Sequence, residues 1–203
     1  MNKISASLLA AALLWLPPLQ AGQPVKTLLE MRQSNVVMQE WDLSCGAATL
    51  ATVLRYQHGM DISEKEIAAE LISRPEYVNN PELLQIKQGF SLLDLKRFVD
   101  RRGLIGDGFG GLDLDDIIDM APVILPVSIG GYSHFVVFRG MVNNRVLLAD
   151  PAWGNRVLTV DNFEDVWLEI GNLGKVGFTV SSSQNTNDLN RLAPTAMDFV
   201  MLN

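Results

Sequence analysis

The stretch "QEWDLSCGAATLATVLRYQHG", residues 39–59, holds the chain's only cysteine, Cys45. Cys45 opens a segment with helical spacing and is followed by the small residues Gly46, Ala47 and Ala48. Unpaired amides and the dipole at a helix N-terminus stabilise a thiolate, so this position predicts a thiol pKa lowered from about 8.5. Small neighbours also let a substrate backbone approach. The opposing reading is a buried small hydrophobe, which free cysteines commonly are. Cys45 taken alone does not choose between them.

A nucleophilic thiol needs a base, and the chain has two histidines. His58 stands thirteen residues after Cys45, about 20 Å along a continuous helix at 1.5 Å per residue. That separation excludes it as the base and leaves it as a polar helix-end residue. His134 remains, after the turn-like "GGYS" and at the head of the run "HFVVFRG". If "MVNN" is a four-residue hairpin loop, Gly140 pairs with Arg145 and His134 falls opposite Pro151. Asp150 is then a cross-strand neighbour within about 5–8 Å. A carboxylate there fixes the imidazole tautomer and stabilises the imidazolium formed when the thiol loses its proton. Asp150 equally suits a strand-ending turn before Pro151. Gln39 completes the group. Acyl transfer develops negative charge on a carbonyl oxygen, and a side-chain amide beside the Cys45 N–H can donate to it. A glutamine before a helix is otherwise simply solvated.

The elements that must position these residues are visible as periodicity. "CGAATLATVLRYQHG" carries Leu50, Val53 and Leu54 at helical spacing and ends at Gly59. "SEKEIAAELISR" and "SLLDLKRFVDRRG" each begin with a capping box, Ser63 with Glu66 and Ser91 with Asp94. A short acidic helix, "LDDIIDM", precedes Pro122. The period then changes to the β-branched runs "VILPVSI", "HFVVFRG" and "RVLLADP", followed by a short helix "DNFEDVW" and a last strand "KVGFTV". Helices first and strands later predict an α+β fold, N-terminal helices packed on a C-terminal antiparallel sheet. "GDGFGG" (106–111) matches a dinucleotide-binding pattern, but it follows a helix end and precedes acidic "LDLDD". It is expected to be a flexible loop over the site.

The chain has 203 residues, 48% of them hydrophobic, and a formal net charge of −7. One domain with a sizeable core accommodates that composition, and the acidic balance speaks against nucleic acid as a partner. Residues 1–21 have the anatomy of a secretory signal peptide: a basic start, an apolar run too short to span a bilayer, then "PPLQAG". The expectation is export to the periplasm, with membrane contact only through the uncleaved signal peptide. One folded domain is expected over 22–180, followed by a tail over 181–203 without clear periodicity. Two histidines and one cysteine, widely spaced, form no zinc pattern, so no metal or organic cofactor is expected.

The motifs "QEWDLSCGAATLATVL", "GFSLLDLKRF", "PVILPVSIGGYSHFVVFRG" and "VLLADPAWGNRVLTVDNFEDVW" resemble, in this order, those of the bacteriocin-processing cysteine peptidases, the papain-like double-glycine leader peptidases. The resemblance spans roughly residues 35 to 170. It implies a papain-like fold, with Cys45 as nucleophile, His134 as base, Asp150 as its orienter and Gln39 as oxyanion donor. It also implies a peptide or protein substrate cut after small residues such as Gly-Gly. Many members are cytoplasmic domains of peptide-exporting ABC transporters, whereas this chain reads as a signal peptide and one domain. Many carry a second cysteine where this chain has Thr49. Degenerate transporter versions lack the nucleophile, so Cys45 implies retained activity. A stand-alone exported member resembles the peptidase of functional-amyloid secretion operons, which makes a fibre-assembly or export system the expected partner. The rival from another class is a non-catalytic peptide-binding or chaperone module using the same cleft. Transfer of the acyl group to an amine uses the same residues as hydrolysis.

Overall fold

Both faces of the sheet are covered, and this explains why its strands read as nearly unbroken apolar runs. The computed structural model describes residues 27–86, 89–182 and 189–201; the expected signal peptide lies outside them. Six antiparallel strands, β1 (Leu104–Gly110), β2 (Val123–Ile129), β3 (Tyr132–Val142), β4 (Arg145–Asp150), β5 (Gly154–Thr159) and β6 (Val176–Ser182), run in the order β1-β6-β2-β3-β4-β5. Side chains alternate across a strand. Ile124, Val137 and Phe178 accordingly face one core, while Val123, Leu125, Val136, Phe138, Val146 and Leu148 face the other.

The first core is closed by α2 (Cys45–Thr52), α3 (Glu64–Ile72) and α6 (Leu92–Asp100). Between the last two lie the short helices α4 (Pro75–Asn79) and α5 (Leu83–Ile86), and α1 (Leu28–Arg32) precedes them all. Every residue of α2 is buried. It is a central helix rather than an amphipathic one, and its run of Gly and Ala admits close neighbours. It passes into a π-helical turn over Val53–Gln57 and stops at Gly59, whose φ is +69°. Both expected capping boxes form, Ser63 with Glu66 and Ser91 with Asp94. The second core is closed by α7 (Leu114–Met120) and α8 (Val160–Val166), through Ile117, Phe163 and Trp167.

Three local expectations are corrected. The β3–β4 connection is a two-residue turn at Asn143 and Asn144, with φ of 49° and 61°. Val142 pairs with Arg145 and Gly140 with Leu147, not Arg145. Asparagine tolerates the left-handed region that this tight hairpin requires, and a bulge between Phe138 and Gly140 shifts the register once more. "GDGFGG" is not a loop but mostly the edge strand β1, paired with β6. Its glycine at 106 serves close packing: an added Cβ would meet Val99 Cγ2 at 2.7 Å and Phe178 Cζ at 2.8 Å. The third concerns the C-terminal segment. β6 runs to Ser182, and residues 189–201 pack back on the domain, ending in α9 (Ala196–Met201). Leu192 is fully buried in the first core, and its carbonyl accepts from buried Arg139 Nε (2.8 Å). Among the described residues no helix is long and apolar enough to cross a membrane.

Candidate active site

Cys45 and His134 share the wall of a cavity of about 680 Å3. Cys45 is the first residue of α2, presented by the helix start, while His134 sits near the head of β3, just past the Gly130–Gly131 turn. The rest of the lining is largely apolar, including Phe90, Phe109, Leu168, Ile170 and Leu173. His58, by contrast, sits at the far end of the same helix, its Nε2 3.1 Å from the Val180 carbonyl oxygen.

Asp150 ends β4 directly behind the imidazole. His134 Nε2 lies 3.2 Å from Asp150 Oδ2, at an angle too oblique for a straight hydrogen bond. Asp150 Oδ1 accepts from the amides of Ala152 (2.9 Å) and Trp153 (3.2 Å). The turn reading of Asp150 is therefore met through Oδ1, while Oδ2 is left facing the imidazole. Arg156 Nη2, on β5, is 3.3 Å from the same Oδ2. Burial opposes the charge on Asp150, but His134, the Ala152 amide and Arg156 together hold its carboxyl below the usual range.

The Cys45 thiol goes the other way from the sequence expectation. Burial pushes it up from its ordinary value, and the negative charge of Asp150 adds to the rise. Amides of Phe135, Gly46 and Cys45 itself pull it down, but less. Desolvation outweighs the helix N-terminus because the whole first turn is buried.

Gln39 stands at the edge of the group. Its backbone N–H donates to the Pro151 carbonyl (2.8 Å), tying this strand of chain to the Asp150 turn. Its Nε2 donates to the Trp41 carbonyl (3.1 Å), which leaves a second amide hydrogen for another acceptor. Its Oε1 is buried without a hydrogen-bond partner. Tyr132, unremarked in the sequence, stacks on His134 with ring centroids 5.2 Å apart and presents its carbonyl 3.3 Å from His134 Nδ1. Burial and the neighbouring Cys45 and Asp42 push its phenol up, and the Gln39 amide pulls it down. Arg156 also escaped the sequence reading; its place beside Gly154, directly across from Asp150, is the signal that a β4–β5 hairpin would have supplied. Among the described residues no group of three or more His, Cys, Asp or Glu side chains is placed to hold a metal ion.

A cysteine at the start of a buried helix, sharing a cavity with a histidine that a carboxylate backs on an antiparallel sheet, is the arrangement of a papain-like thiol peptidase. Residues 33–171 match the Peptidase C39 family, and the chain belongs to that family. It is 36% identical over 144 residues to the "probable functional amyloid protease FapD" of Pseudomonas fluorescens, covering 70% of this chain and 61% of that protein. The match to the protein of the same description from Pseudomonas aeruginosa is 32% over 163 residues, covering 77% and 69%. The chain thus spans about three-fifths to two-thirds of the length of these relatives. In fold it is similar to a double glycine motif protease from an AMS/PCAT transporter, solved in complex with the leader peptide. That likeness has a TM-score of 0.56 at 20% identity, over 73% of this chain and 91% of the other. The peptidase domain of Streptococcus ComA, a bi-functional ABC transporter, also scores 0.56, at 17% identity, over 73% and 98%.

Proposed function

We propose that the protein is a periplasmic cysteine endopeptidase that cuts an exported peptide or protein after small residues such as Gly-Gly, in support of the secretion or assembly of extracellular fibres. The observation that carries this reading is the convergence of Cys45 and His134 on one cavity with Asp150 behind the imidazole. The functional-amyloid description of the relatives from Pseudomonas supports the fibre system, and the leader peptide held by a structural neighbour supports an extended peptide as substrate.

In this mechanism burial holds Cys45 as a neutral thiol until substrate arrives. With Nε2–H turned to Asp150, Nδ1 takes the thiol proton, and the Tyr132 carbonyl 3.3 Å away accepts from Nδ1–H in the imidazolium so formed. The sulfur attacks the peptide carbonyl, and the Cys45 N–H and Gln39 Nε2 stabilise the oxygen as it becomes negative. The protonated imidazole gives its proton to the leaving amine. It then takes one from the water that hydrolyses the thioester and frees Cys45. Specificity follows from crowding. The rings of Phe90, Phe109 and Phe135 line the cavity that Cys45 and His134 share. Glycine beside the scissile bond passes between such rings, and a branched residue does not.

The test is to compare the termini of exported proteins in cells carrying the wild-type protein or Cys45→Ala. The reading expects a new N-terminus after Gly-Gly in the wild-type periplasm that is missing with Cys45→Ala. Identical termini in both strains would overturn it.

A further inference from the structure

One buried carboxylate has no part in that mechanism. Glu64 opens α3, twenty-four residues in sequence from Glu40, and is 4% exposed. It does not serve its own helix, because Ser63 and Glu66 already form the capping box there. Among the described residues no cation pairs with it. A buried carboxylate without a cation is costly unless hydrogen bonds satisfy it. Those bonds come from the loop between Gln39 and Cys45: the Glu40 N–H donates to both carboxylate oxygens, at 3.0 and 3.1 Å, and the Ser44 hydroxyl donates to Oε1.

We propose that Glu64 is a positioning residue for oxyanion stabilisation, holding the Gln39–Ser44 loop so that the Gln39 amide and the Cys45 N–H point at one spot. The inference rests on the roles given above to Cys45 and Gln39. Three features of the loop support it. Glu40 follows Gln39 directly, and Gln39 is pinned on its other side through Pro151; Glu64 supplies the second anchor. Ser44 occupies the N-cap of α2, where serine normally bonds first-turn amides, yet it makes no such bond. Its single hydroxyl hydrogen is shared between Glu64 and the Trp41 carbonyl (2.6 Å), and the first-turn amides stay open toward Cys45 Sγ and the substrate. The loop also needs holding. Leu43 has a φ of +69°, and the Leu43 carbonyl lies so near Gly89 that an added Cβ there would meet it at 2.8 Å.

The experiment measures kcat, KM and the rate of Cys45 alkylation by iodoacetamide for Glu64→Ala, Glu64→Gln, Gln39→Ala and the Gln39→Ala/Glu64→Ala double variant. The substrate is a fluorogenic Gly-Gly peptide cleaved by the wild type. Alkylation passes through no oxyanion, so it reports the thiol alone. Glu64→Ala should lower kcat at least about tenfold, the scale on which single oxyanion donors act, with KM and alkylation within about threefold. Added to Gln39→Ala, it should cost clearly less than the roughly tenfold it costs alone, because one of the two donors it positions is then missing. Glu64→Gln, which keeps an oxygen for the Glu40 N–H, should fall between wild type and Glu64→Ala, and it decides the matter by the same criteria where the alanine variant does not fold. An unchanged kcat, an equal fall in alkylation, or a full tenfold loss again in the Gln39→Ala background would overturn the proposal. Wild-type kcat in Gln39→Ala would instead overturn the underlying role of Gln39, and this inference with it.

Discussion

Asparagine and alanine at position 150 should fail in different ways, because the two oxygens of Asp150 hold different things. Oδ1 accepts the Ala152 and Trp153 amides, while Oδ2 faces His134 at 3.2 Å and Arg156 at 3.3 Å. Asp150→Asn keeps an oxygen for the turn but removes the charge. Two unit charges 3.2 Å apart interact by about 5 kcal/mol at an effective dielectric near 20. Arg156 shares the oxygen and cancels part of this, so the expected loss is set at a floor of about 1.4 kcal/mol, or tenfold in kcat/KM. Asp150→Ala also strips the turn. The Ala152 amide loses its acceptor, whereas the Trp153 N–H keeps a bond to the Asp150 carbonyl at 3.2 Å. One amide fully and one partly unsatisfied cost about 2–3 kcal/mol, which lowers Tm by about 4–12 °C in a chain of this size. Kinetics on a cleaved peptide and thermal unfolding at pH 7 test both. Asp150→Asn should keep Tm within about 3 °C, since Arg156 is partly exposed and solvent screens it. The folded-state pKa of Asp150 is depressed. Its contribution is therefore complete above the unfolded value near 4 and is lost as pH falls through the folded one, so Asp150→Asn should lose less stability than wild type on acidification. Wild-type turnover in Asp150→Asn, or the same fall in Tm for both variants, would refute this division of labour.

The two histidines separate cleanly. His134→Ala should lower kcat by orders of magnitude, while His58→Ala, at the far end of the helix, should stay within a few-fold; equal losses in folded variants would contradict the geometry. Burial raises the Cys45 pKa, so the pH profile of its alkylation should inflect above the unperturbed value of about 8.5. An inflection well below that value would show that the helix terminus and imidazole outweigh desolvation. Gly106→Ala forces a methyl against Val99 and Phe178, and overpacking of about 1–3 kcal/mol should lower Tm by about 2–12 °C. An unchanged Tm would mean that β1 and α6 separate freely.

What could be read from the sequence was what local chemistry dictates. The capping boxes at Ser63 and Ser91 are complete within four residues, and both helices begin there. Cys45 and His134 could be named because the chain has one cysteine and two histidines, and Asp150, one of fourteen aspartates, because it ends the strand after that of His134. The hairpin register was lost because the Asn143–Asn144 pair, which suits a two-residue left-handed turn, was given a four-residue loop, and because a bulge downstream of His134 leaves no mark in the sequence. The strand character of "GDGFGG" was hidden because Gly106 serves packing against α6, a contact made across the fold. The sign of the Cys45 shift failed for the same reason, since burial of the first turn is a tertiary property. Glu64 reaches the Gln39–Ser44 loop through space, with no spacing along the chain to announce it. Tyr132, two residues before His134 on one strand face, and Arg156, across the β4–β5 hairpin, follow only once the strands are placed.

On this mechanism Cys45 forms a covalent bond to the substrate acyl group. Rapid quenching of the purified protein with a Gly-Gly peptide, followed by intact-mass analysis, tests it most directly. Wild type should carry the mass of the peptide's N-terminal fragment on Cys45, with both cleavage products accumulating. Cys45→Ala should bind the peptide and show neither. Cleavage that persists in Cys45→Ala would contradict the claim, as would tight binding by wild type with no adduct and no product.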